Sequence, residues 1–169
     1  TPEQAIQVAN KLKASGVTAV NFGGGECALR KDFIPLCQHL KNLGIKISYT
    51  TNGTTFHLIK DHLHLFHDIG VSIDFANPHK HDEFRGVEGT YNQAIETLQY
   101  LVKHNINNEI VTCLTNLNCK ELKSIYNLAK QLKVQHWRLN RFRANGRGIT
   151  NQNELNLSKQ QLRKAYTFL

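Results

Sequence analysis

The residues best suited to chemistry are Gly23-Gly24-Gly25-Glu26, which directly follow an apolar run. Three consecutive glycines leave no Cβ atoms, so a ligand can reach backbone N–H and C=O groups directly. Glu26 adds one carboxylate, which would repel a phosphate and favour a cationic group such as an ammonium. A glycine turn beside a solvated Glu26 would leave the same pattern. The stretch therefore indicates either a site for a cation-bearing ligand or a simple turn.

A second candidate pair is Ser72 and Asp74, which lie two residues apart in a predicted strand over residues 71–75. Side chains at that spacing leave the same face of a strand. A carboxylate inside an apolar strand is costly unless it has a hydrogen-bonding partner. Two ligand hydroxyls, as on a ribose, would satisfy both residues. A hydrogen bond to a neighbouring strand or to a loop N–H would equally satisfy Asp74.

Two further places offer polar groups. Thr51 and Asn52 precede a glycine, so they can bind a ligand or complete a turn. Arg85 lies in the predicted loop over residues 76–89 and can bind a carboxylate with two N–H groups. A salt bridge from Arg85 to Asp82 or Glu83 is the alternative.

The stretch WRLNRFRANGR mixes basic and aromatic side chains, and net charge is +8 with 21 Lys and Arg against 13 Asp and Glu. Such a run can bind nucleic acid through phosphate contacts and base stacking. A strand end with solvated arginines has the same composition, and net charge does not choose between them. The residues concerned are Arg138, Arg141, Arg143 and Arg147, with Trp137 and Phe142 between them.

Histidines and cysteines give no metal motif. The histidines are nevertheless dense enough to suggest a metal site as an alternative, in His62, His64 and His67 with Asp68, and in His79 with His81. The first three do not share one helix face, because only separations of three or four residues do, so a solvated helix surface is the prediction. The cysteines show no CxxC or CxxxCxxC spacing and are interpreted as free thiols in a reducing compartment. They are Cys27, Cys37, Cys113 and Cys119.

These residues must be positioned by a repeating unit, because helical apolar spacing alternates with short buried runs along the chain. Predicted strands cover residues 17–22, 45–50, 71–75, 109–114 and 134–142. Predicted helices cover about 1–15, 33–43, 56–69, 90–102 and 118–132, with a last one from 158. Their predicted caps are Thr1, Thr90 with Gln93, Asn118 with Glu121, and Ser158 with Gln161.

This alternation predicts an α/β fold with a parallel sheet covered by helices, and a ligand site at the carboxyl ends of the strands. The chain has 169 residues, of which 40% are hydrophobic, enough for one domain with a buried core. No apolar run approaches the roughly 20 residues of a membrane span, and no signal peptide opens the chain, so a cytoplasmic protein without membrane contact is expected. Absence of methionine leads us to expect a piece of a longer chain.

Four ordered motifs at the predicted strand ends resemble the radical S-adenosylmethionine (SAM) superfamily, above all its peptide- and protein-maturase branches. They are GGGECALRKDF, SYTTNGT, VSIDFANPHKHDEFRGVEGTY and VTCLTNLNCKEL. The resemblance covers about residues 1–148 and leaves 149–169 as a linker and the start of a C-terminal helix. It implies a partial (β/α)6 TIM-like barrel, here without its first strand and cluster loop.

The resemblance also implies a SAM site. The family's GGE sequence, which holds the SAM ammonium, corresponds to Gly24, Gly25 and Glu26. Ser72 and Asp74 would fall at the ribose and carboxylate contacts, with Thr51 and Asn52 nearby. Arg85 matches the family's RG pair, and the fifth strand around residues 137–140 would lie beside the adenine.

One departure from the family is large. Its 4Fe–4S cluster is held by a CxxxCxxC loop before the helix that matches residues 1–15, and Cys27 cannot replace three thiolates. The chain alone should therefore bind no cluster and should not cleave SAM.

By the same resemblance, the intact protein would use an electron donor and an upstream cluster to cleave SAM to a 5′-deoxyadenosyl radical. That radical would abstract hydrogen from a substrate, which in these branches is a peptide or protein. The alternative is a cluster-less barrel that binds or scaffolds a nucleic acid or another anionic partner.

Overall fold

The computed structural model describes residues 1–168, with the backbone alone for Arg147. Within this part of the chain the strands are β1 Ala19–Phe22, β2 Lys46–Thr51, β3 Asp68–Ser72, β4 Asn108–Leu114 and β5 His136–Arg141. The α-helices are α1 Pro2–Ala14, α2 Phe33–Asn42, α3 Pro78–Arg85, α4 Thr90–Lys103, α5 Leu122–Leu132, α6 Gln152–Leu155 and α7 Lys159–Phe168. Short 3-10 segments cover Cys27–Leu29, Phe56–Leu58, Lys60–Leu65 and Gly146–Ile149.

The five strands form one sheet in the order β1-β2-β3-β4-β5, and each neighbouring pair is parallel. The sheet curls into a half-barrel, which confirms the predicted α/β class and the partial TIM-like barrel. Because all strands run the same way, their carboxyl ends lie along one edge. The candidate residues at the strand ends are therefore brought to the same side of the molecule.

The two faces of the sheet differ in chemistry because side chains alternate along each strand. The outer face packs on the helices and forms the core, with fully buried residues that include Ile47, Tyr49, Ile69, Val71 and Ile110. The opposite face, called the inner face below, is polar. Its residues include Ser48, Thr50, Asp68, Ser72, Glu109 and Arg138. The fold thus leaves a lined, hydrophilic concavity opposite its core.

Two predicted helix caps are confirmed. Thr1 and Gln4 form a reciprocal capping box at the start of α1. At α7 the Gln161 N–H donates to Ser158 Oγ at 3.2 Å, and the Ser158 N–H donates to Gln161 Oε1 at 2.8 Å. Each cap satisfies backbone N–H groups that a helix start leaves without partners.

The predicted helix over residues 56–69 is wrong. Two 3-10 segments occupy residues 56–65, and the chain kinks at His62. Phe66 already has extended backbone, with φ −98° and ψ 139°, so the chain leaves the helical conformation before β3. As a result, β3 begins at Asp68 and ends at Ser72, three residues earlier than predicted.

The predicted loop over residues 76–89 contains α3. The Asn77 side chain caps this helix by accepting the Lys80 N–H at 3.0 Å, and Pro78 is the first residue of the helix. Asn followed by Pro is a helix-start signal that the sequence carried. The loop prediction failed because α3 has almost no apolar face.

The predicted caps of α4 and α5 are also wrong. Gly89 precedes α4, and Asp82 supplies the acceptor, taking the Gly89 N–H at 2.7 Å and the Tyr91 N–H at 2.7 Å. Asn118 does not cap α5, because its Oδ1 accepts the Thr115 N–H at 2.8 Å. The side chains predicted to cap these helices make other hydrogen bonds instead.

The C-terminal segment packs on the barrel. The Asn116 N–H donates to the carbonyl of Leu155 at 3.0 Å, and Ala165 of α7 is buried against Leu114 and Leu122. The division at residues 148 and 149 stays a prediction. Within residues 1–168, none of the helices has both the length and the apolar character needed to cross a bilayer.

Candidate functional site

The turn after β1 exposes its backbone. Gly24 has φ +98° and Gly25 has φ +61°, both in the left-handed region, where a side chain would be strained. A Cβ atom built at either position would have no heavy atom within 4 Å. Glycine is required here by conformation, and the space around the backbone remains open to a ligand.

Glu26 is held at the junction between the carboxyl ends of β1 and β2. Its Oε1 accepts the hydroxyls of Thr51 and Thr55, each at 2.8 Å, and also the hydroxyl of Tyr49. Its Oε2 accepts the Asn52 N–H at 3.0 Å. The carboxylate is thus oriented by four donors, and Oε2, with one donor, keeps an acceptor site. Glu26 is therefore not simply a solvated side chain beside a glycine turn.

Thr51 and Asn52 do complete the local turn. Thr51 Oγ1 accepts the Gly53 N–H at 3.0 Å, and Asn52 Oδ1 accepts the Thr54 N–H at 2.9 Å. Their contact with SAM stays a prediction. Tyr49 was missed as a site residue because its alternation placed it in the core. Burial and its hydrogen bond to Glu26 raise the pKa of Tyr49, so the phenol remains a donor to that carboxylate.

Asp74 lies two residues beyond the end of β3, so the prediction that it shares a strand face with Ser72 is wrong. Its side chain is 0% exposed. Oδ1 accepts the Cys113 N–H at 2.7 Å, and an Nη nitrogen of Arg85 lies 2.5 Å from Oδ2. Burial raises the pKa of Asp74, while the Arg85 guanidinium acts to lower it. The carboxylate therefore has an internal partner on β4 and another on α3.

Arg85 and Asp74 form an ion pair, and neither Asp74 Oδ2 nor Arg85 Nε has a hydrogen-bond partner within residues 1–168. The predicted salt bridge of Arg85 to Asp82 or Glu83 is wrong. The alternative, that Arg85 binds a ligand carboxylate, stays a prediction. The Arg85 side chain is 29% exposed, so it is only partly enclosed by the protein.

Two residues that sequence reasoning did not assign to the site fix the backbone around Asp74. His81 Nδ1 accepts the Asp74 N–H at 3.2 Å, and Asn118 Nδ2 donates to the carbonyls of Asp74 at 3.0 Å and Cys113 at 2.9 Å. Burial first, and the Arg85 charge second, lower the pKa of His81 to about 4. His81 is therefore a neutral hydrogen-bond acceptor. It lies in a mostly polar stretch of sequence, so nothing in the sequence indicated that its side chain is buried.

Ser72 occupies the last position of β3 and is half-buried on the inner face. In register, Ser72 lies opposite Val111, which lies opposite Arg138. The Ser72 hydroxyl has no hydrogen-bond partner among the described residues, so it is available to a ligand. Its contact with SAM stays a prediction.

The inner face below Ser72 carries a charged network. An Nη nitrogen of Arg138 lies 2.5 Å from Glu109 Oε1 and 3.4 Å from Thr50 Oγ1. Ser48 Oγ donates to Asp68 Oδ2 at 2.7 Å. Burial raises the pKa of Glu109, and the Arg138 charge acts to lower it. Arg138 thus connects β5 to β2 across the concavity.

The arginines of the stretch WRLNRFRANGR have different environments in the structure. Arg138 is paired with Glu109, while Arg141 and Arg143 are exposed. The Arg147 side chain lies outside what the structure describes. The Trp137 indole donates to Thr112 Oγ1 at 3.0 Å and packs on the core, so it is not free to stack on a base.

Metal-ligating side chains are dispersed. Within residues 1–168, no group of three His, Cys, Asp or Glu residues is placed to hold a metal ion. The cysteines are free thiols, with Cys37 buried and the others half-buried. Burial raises the pKa of Cys37 to about 12, which makes it a core residue rather than a thiolate ligand.

Comparison with known proteins decides the family. The profile of the Radical SAM superfamily matches residues 1–129. The chain belongs to the radical SAM superfamily. The resemblance inferred from the four strand-end motifs is therefore confirmed, and this family uses SAM and a 4Fe–4S cluster.

The radical SAM chain resembles several characterised proteins. It is 27% identical to an AdoMet-dependent heme synthase of Oleidesulfovibrio alaskensis, over 81% of this chain and 36% of the relative. It is 28% identical to the mycofactocin maturase MftC of Mycolicibacterium smegmatis, over 99% of this chain and 43% of the relative. The chain thus spans less than half the length of these curated relatives.

A solved structure shares the fold. SuiB of Streptococcus suis bound to S-adenosylmethionine superposes with a TM-score of 0.80 at 16% identity, over 99% of this chain and 39% of SuiB. At that identity the likeness concerns the fold alone.

Proposed function

We propose that this chain is the SAM-binding part of a radical SAM enzyme that modifies a peptide or protein. The observation that carries the proposal is the open backbone at Gly24 and Gly25 beside the Glu26 carboxylate, which four donors hold in place. Preorganised charge binds a cationic group without the cost of ordering flexible side chains.

The chain's own groups have distinct tasks in this proposal. Glu26 Oε2 and the glycine carbonyls accept N–H groups of the SAM ammonium, and the Ser72 hydroxyl and the exposed part of Arg85 face the ribose and carboxylate end. The glycine turn without neighbours and the free Ser72 hydroxyl both fit such a ligand. SAM and a reduced cluster supply the bond-cleaving chemistry when they are bound.

The cluster does not fit the described residues, because they hold no suitable ligand group. The proposal therefore assigns the cluster ligands, and the electron donor that reduces the cluster, to parts outside this chain. The division into a barrel over residues 1–148 and a linker with a C-terminal helix, and the cytoplasmic location, remain predictions.

The substrate class is supported by relatives. MftC carries the name of a mycofactocin maturase, and SuiB has been solved with a precursor peptide, SuiA. Heme synthases match a similar part of the chain, so the family likeness by itself is compatible with more than one class of substrate. A peptide or protein is proposed because both the sequence relatives and the fold neighbours include peptide modifiers.

The SAM site is tested by titrating SAM calorimetrically into the intact protein that carries Glu26→Gln. A charge-assisted hydrogen bond is worth about 1.5–3 kcal/mol, so we expect SAM affinity to fall roughly 10- to 100-fold. The matched control is Glu83→Gln, because the Glu83 side chain is 75% exposed on α3. The control should bind SAM like the parent protein.

Circular dichroism verifies that Glu26→Gln keeps the fold, since the substitution also changes four internal hydrogen bonds. Equal SAM affinity of a folded Glu26→Gln variant and its parent would contradict the proposed role of Glu26. Absence of SAM binding in the parent protein would overturn the proposed function itself.

A further inference from the structure

The guanidinium of Arg138 stands out on the inner face because it crosses the concavity. Arg138 belongs to β5, yet its Nη nitrogen reaches Thr50 on β2 at 3.4 Å, past β4 and β3. Glu109 on the neighbouring strand β4 already supplies a counter-ion, 2.5 Å from an Nη nitrogen of Arg138. Pairing with Glu109 alone therefore does not require the side chain to reach β2. Because the side chain extends over the sheet, its planar guanidinium is held within the concavity of the inner face.

Gly70 makes this placement possible. A Cβ atom at Gly70 would lie 2.7 Å from Val111 Cγ2 and 3.0 Å from Glu109 Oε1. At these distances a Cβ atom would force the Val111 and Glu109 side chains to shift, so glycine leaves room for the Glu109 carboxylate in its observed position above β3. The absence of a side chain at Gly70 therefore helps to set the position of the ion pair between Glu109 and Arg138.

Register fixes the depth of the two charges. Ser72, Val111 and Arg138 lie opposite one another, whereas Gly70 and Glu109 form the next inner-face row away from the strand ends. Side-chain exposure agrees, with 37% for Arg138 and 16% for Glu109. A molecule entering from the strand ends therefore meets the guanidinium before the carboxylate.

The positions of the charged side chains on the inner face indicate which kind of ligand group could bind there. Lys46 lies at the amino-terminal end of β2, and His136 lies opposite Glu109, one inner-face row deeper than Arg138. Between these positions and the strand ends, Arg138 is the one cation on the inner face of the described strands. Asp68, the other anion, lies at the start of β3 and already accepts the Ser48 hydroxyl.

We propose that Arg138 anchors a carboxylate group of the substrate, directly beneath the proposed SAM site, and that Glu109 holds the guanidinium in position until that group arrives. The planar fork of N–H donors matches a carboxylate in two hydrogen bonds. The proposal rests on the proposed function, because it takes its location from the row that Arg138 shares with Ser72. It adds a chemical class: a substrate with an acidic side chain or a terminal carboxylate.

The test uses the intact protein with 15N-labelled arginine and three probes of equal size class. These are the N-acetyl, N-methylamide derivatives of glutamate, glutamine and lysine. The glutamate probe should shift the Arg138 side-chain N–H signals saturably, and the neutral glutamine probe should bind at least about tenfold more weakly. Stronger shifts with the lysine probe, or no shift with the glutamate probe up to its solubility limit, would overturn the proposal.

Variants separate substrate binding from a structural role. Glu109→Gln releases Arg138 from its anionic competitor, so affinity for the glutamate probe should rise several-fold, measured from the probe's own NMR signals. A purely structural ion pair predicts no gain. The double variant Glu109→Gln with Arg138→Gln removes the cation without leaving a half-buried carboxylate, and should lose probe binding. Arg141→Gln, an exposed arginine of the same strand, is the control and should bind the probe unchanged.

SAM titration of the same samples distinguishes the two proposals. If SAM binds and the glutamate probe does not shift Arg138, the carboxylate site alone is refuted. If the probe binds at Arg138 and SAM does not bind the parent protein, the proposed function fails while the carboxylate site stands.

Discussion

At the scale of single residues, the candidate site contains buried polar groups that hydrogen bonds and an ion pair within the protein hold in place. Asp74 shows this most clearly, because its N–H, its carbonyl and its carboxylate all have protein partners. Burying a charged group is costly unless its hydrogen bonds are made, so His81 and Asn118 stabilise the position of Asp74. The ends of β3 and β4 are joined to α3 through this one residue.

The pH dependence of stability should report on His81. Its pKa is lowered from 6.5 to about 4 in the folded protein, so the unfolded chain binds more protons between those values. The contribution of His81 to the free energy of unfolding is therefore fully present above pH 6.5 and is lost as the pH falls towards 4. The expected loss from this group between pH 7 and pH 4.5 is about 2–3 kcal/mol.

His81→Asn is the informative variant, because its amide oxygen can accept the Asp74 N–H without titrating. Urea unfolding at pH 7 and pH 4.5 should show a smaller loss of stability in the variant than in the parent. Asp74, whose raised pKa acts in the opposite direction, is present in both proteins and cancels in the comparison. Equal losses in the two proteins would show that His81 does not titrate as the structure implies.

At the scale of elements, the site depends on how closely α4 approaches the end of β2. A Cβ atom at Gly53 would lie 2.8 Å from the backbone N and Cα of Ala94 in α4. Gly53 also has φ +92°, which an alanine adopts with strain. This contact sets the position of the turn that holds Thr51 and Asn52 next to Glu26.

Gly53→Ala should therefore be much more destabilising than Gly16→Ala. Gly16 has a similar φ of +82° but no heavy atom within 4 Å of its Cβ position, so it measures strain alone. We expect about 1–2 kcal/mol for Gly16→Ala and about 3 kcal/mol or more for Gly53→Ala by denaturant unfolding. If both substitutions cost the same, the close approach of α4 does not constrain the turn.

At the scale of the whole molecule, hydrophobic periodicity was sufficient to predict five parallel strands in their observed order and the edge of the sheet at which the candidate residues lie. It could not predict α3, whose polar sequence lacks an apolar face, or the 3-10 segments, whose buried residues imitate helical spacing. Ion pairs were the least predictable feature. Arg85 meets Asp74 because α3 folds back on the strand ends, and sequence proximity favoured Asp82 and Glu83 instead.

The central claim is that the chain binds SAM as part of a radical SAM enzyme. Its most direct test is the anaerobic incubation of the intact, cluster-reconstituted protein with SAM and a reductant, with products quantified by liquid chromatography. We predict 5′-deoxyadenosine and methionine in equal amounts, and strongly reduced yields for Glu26→Gln. Absence of both products in a preparation that contains a reduced cluster would contradict the claim.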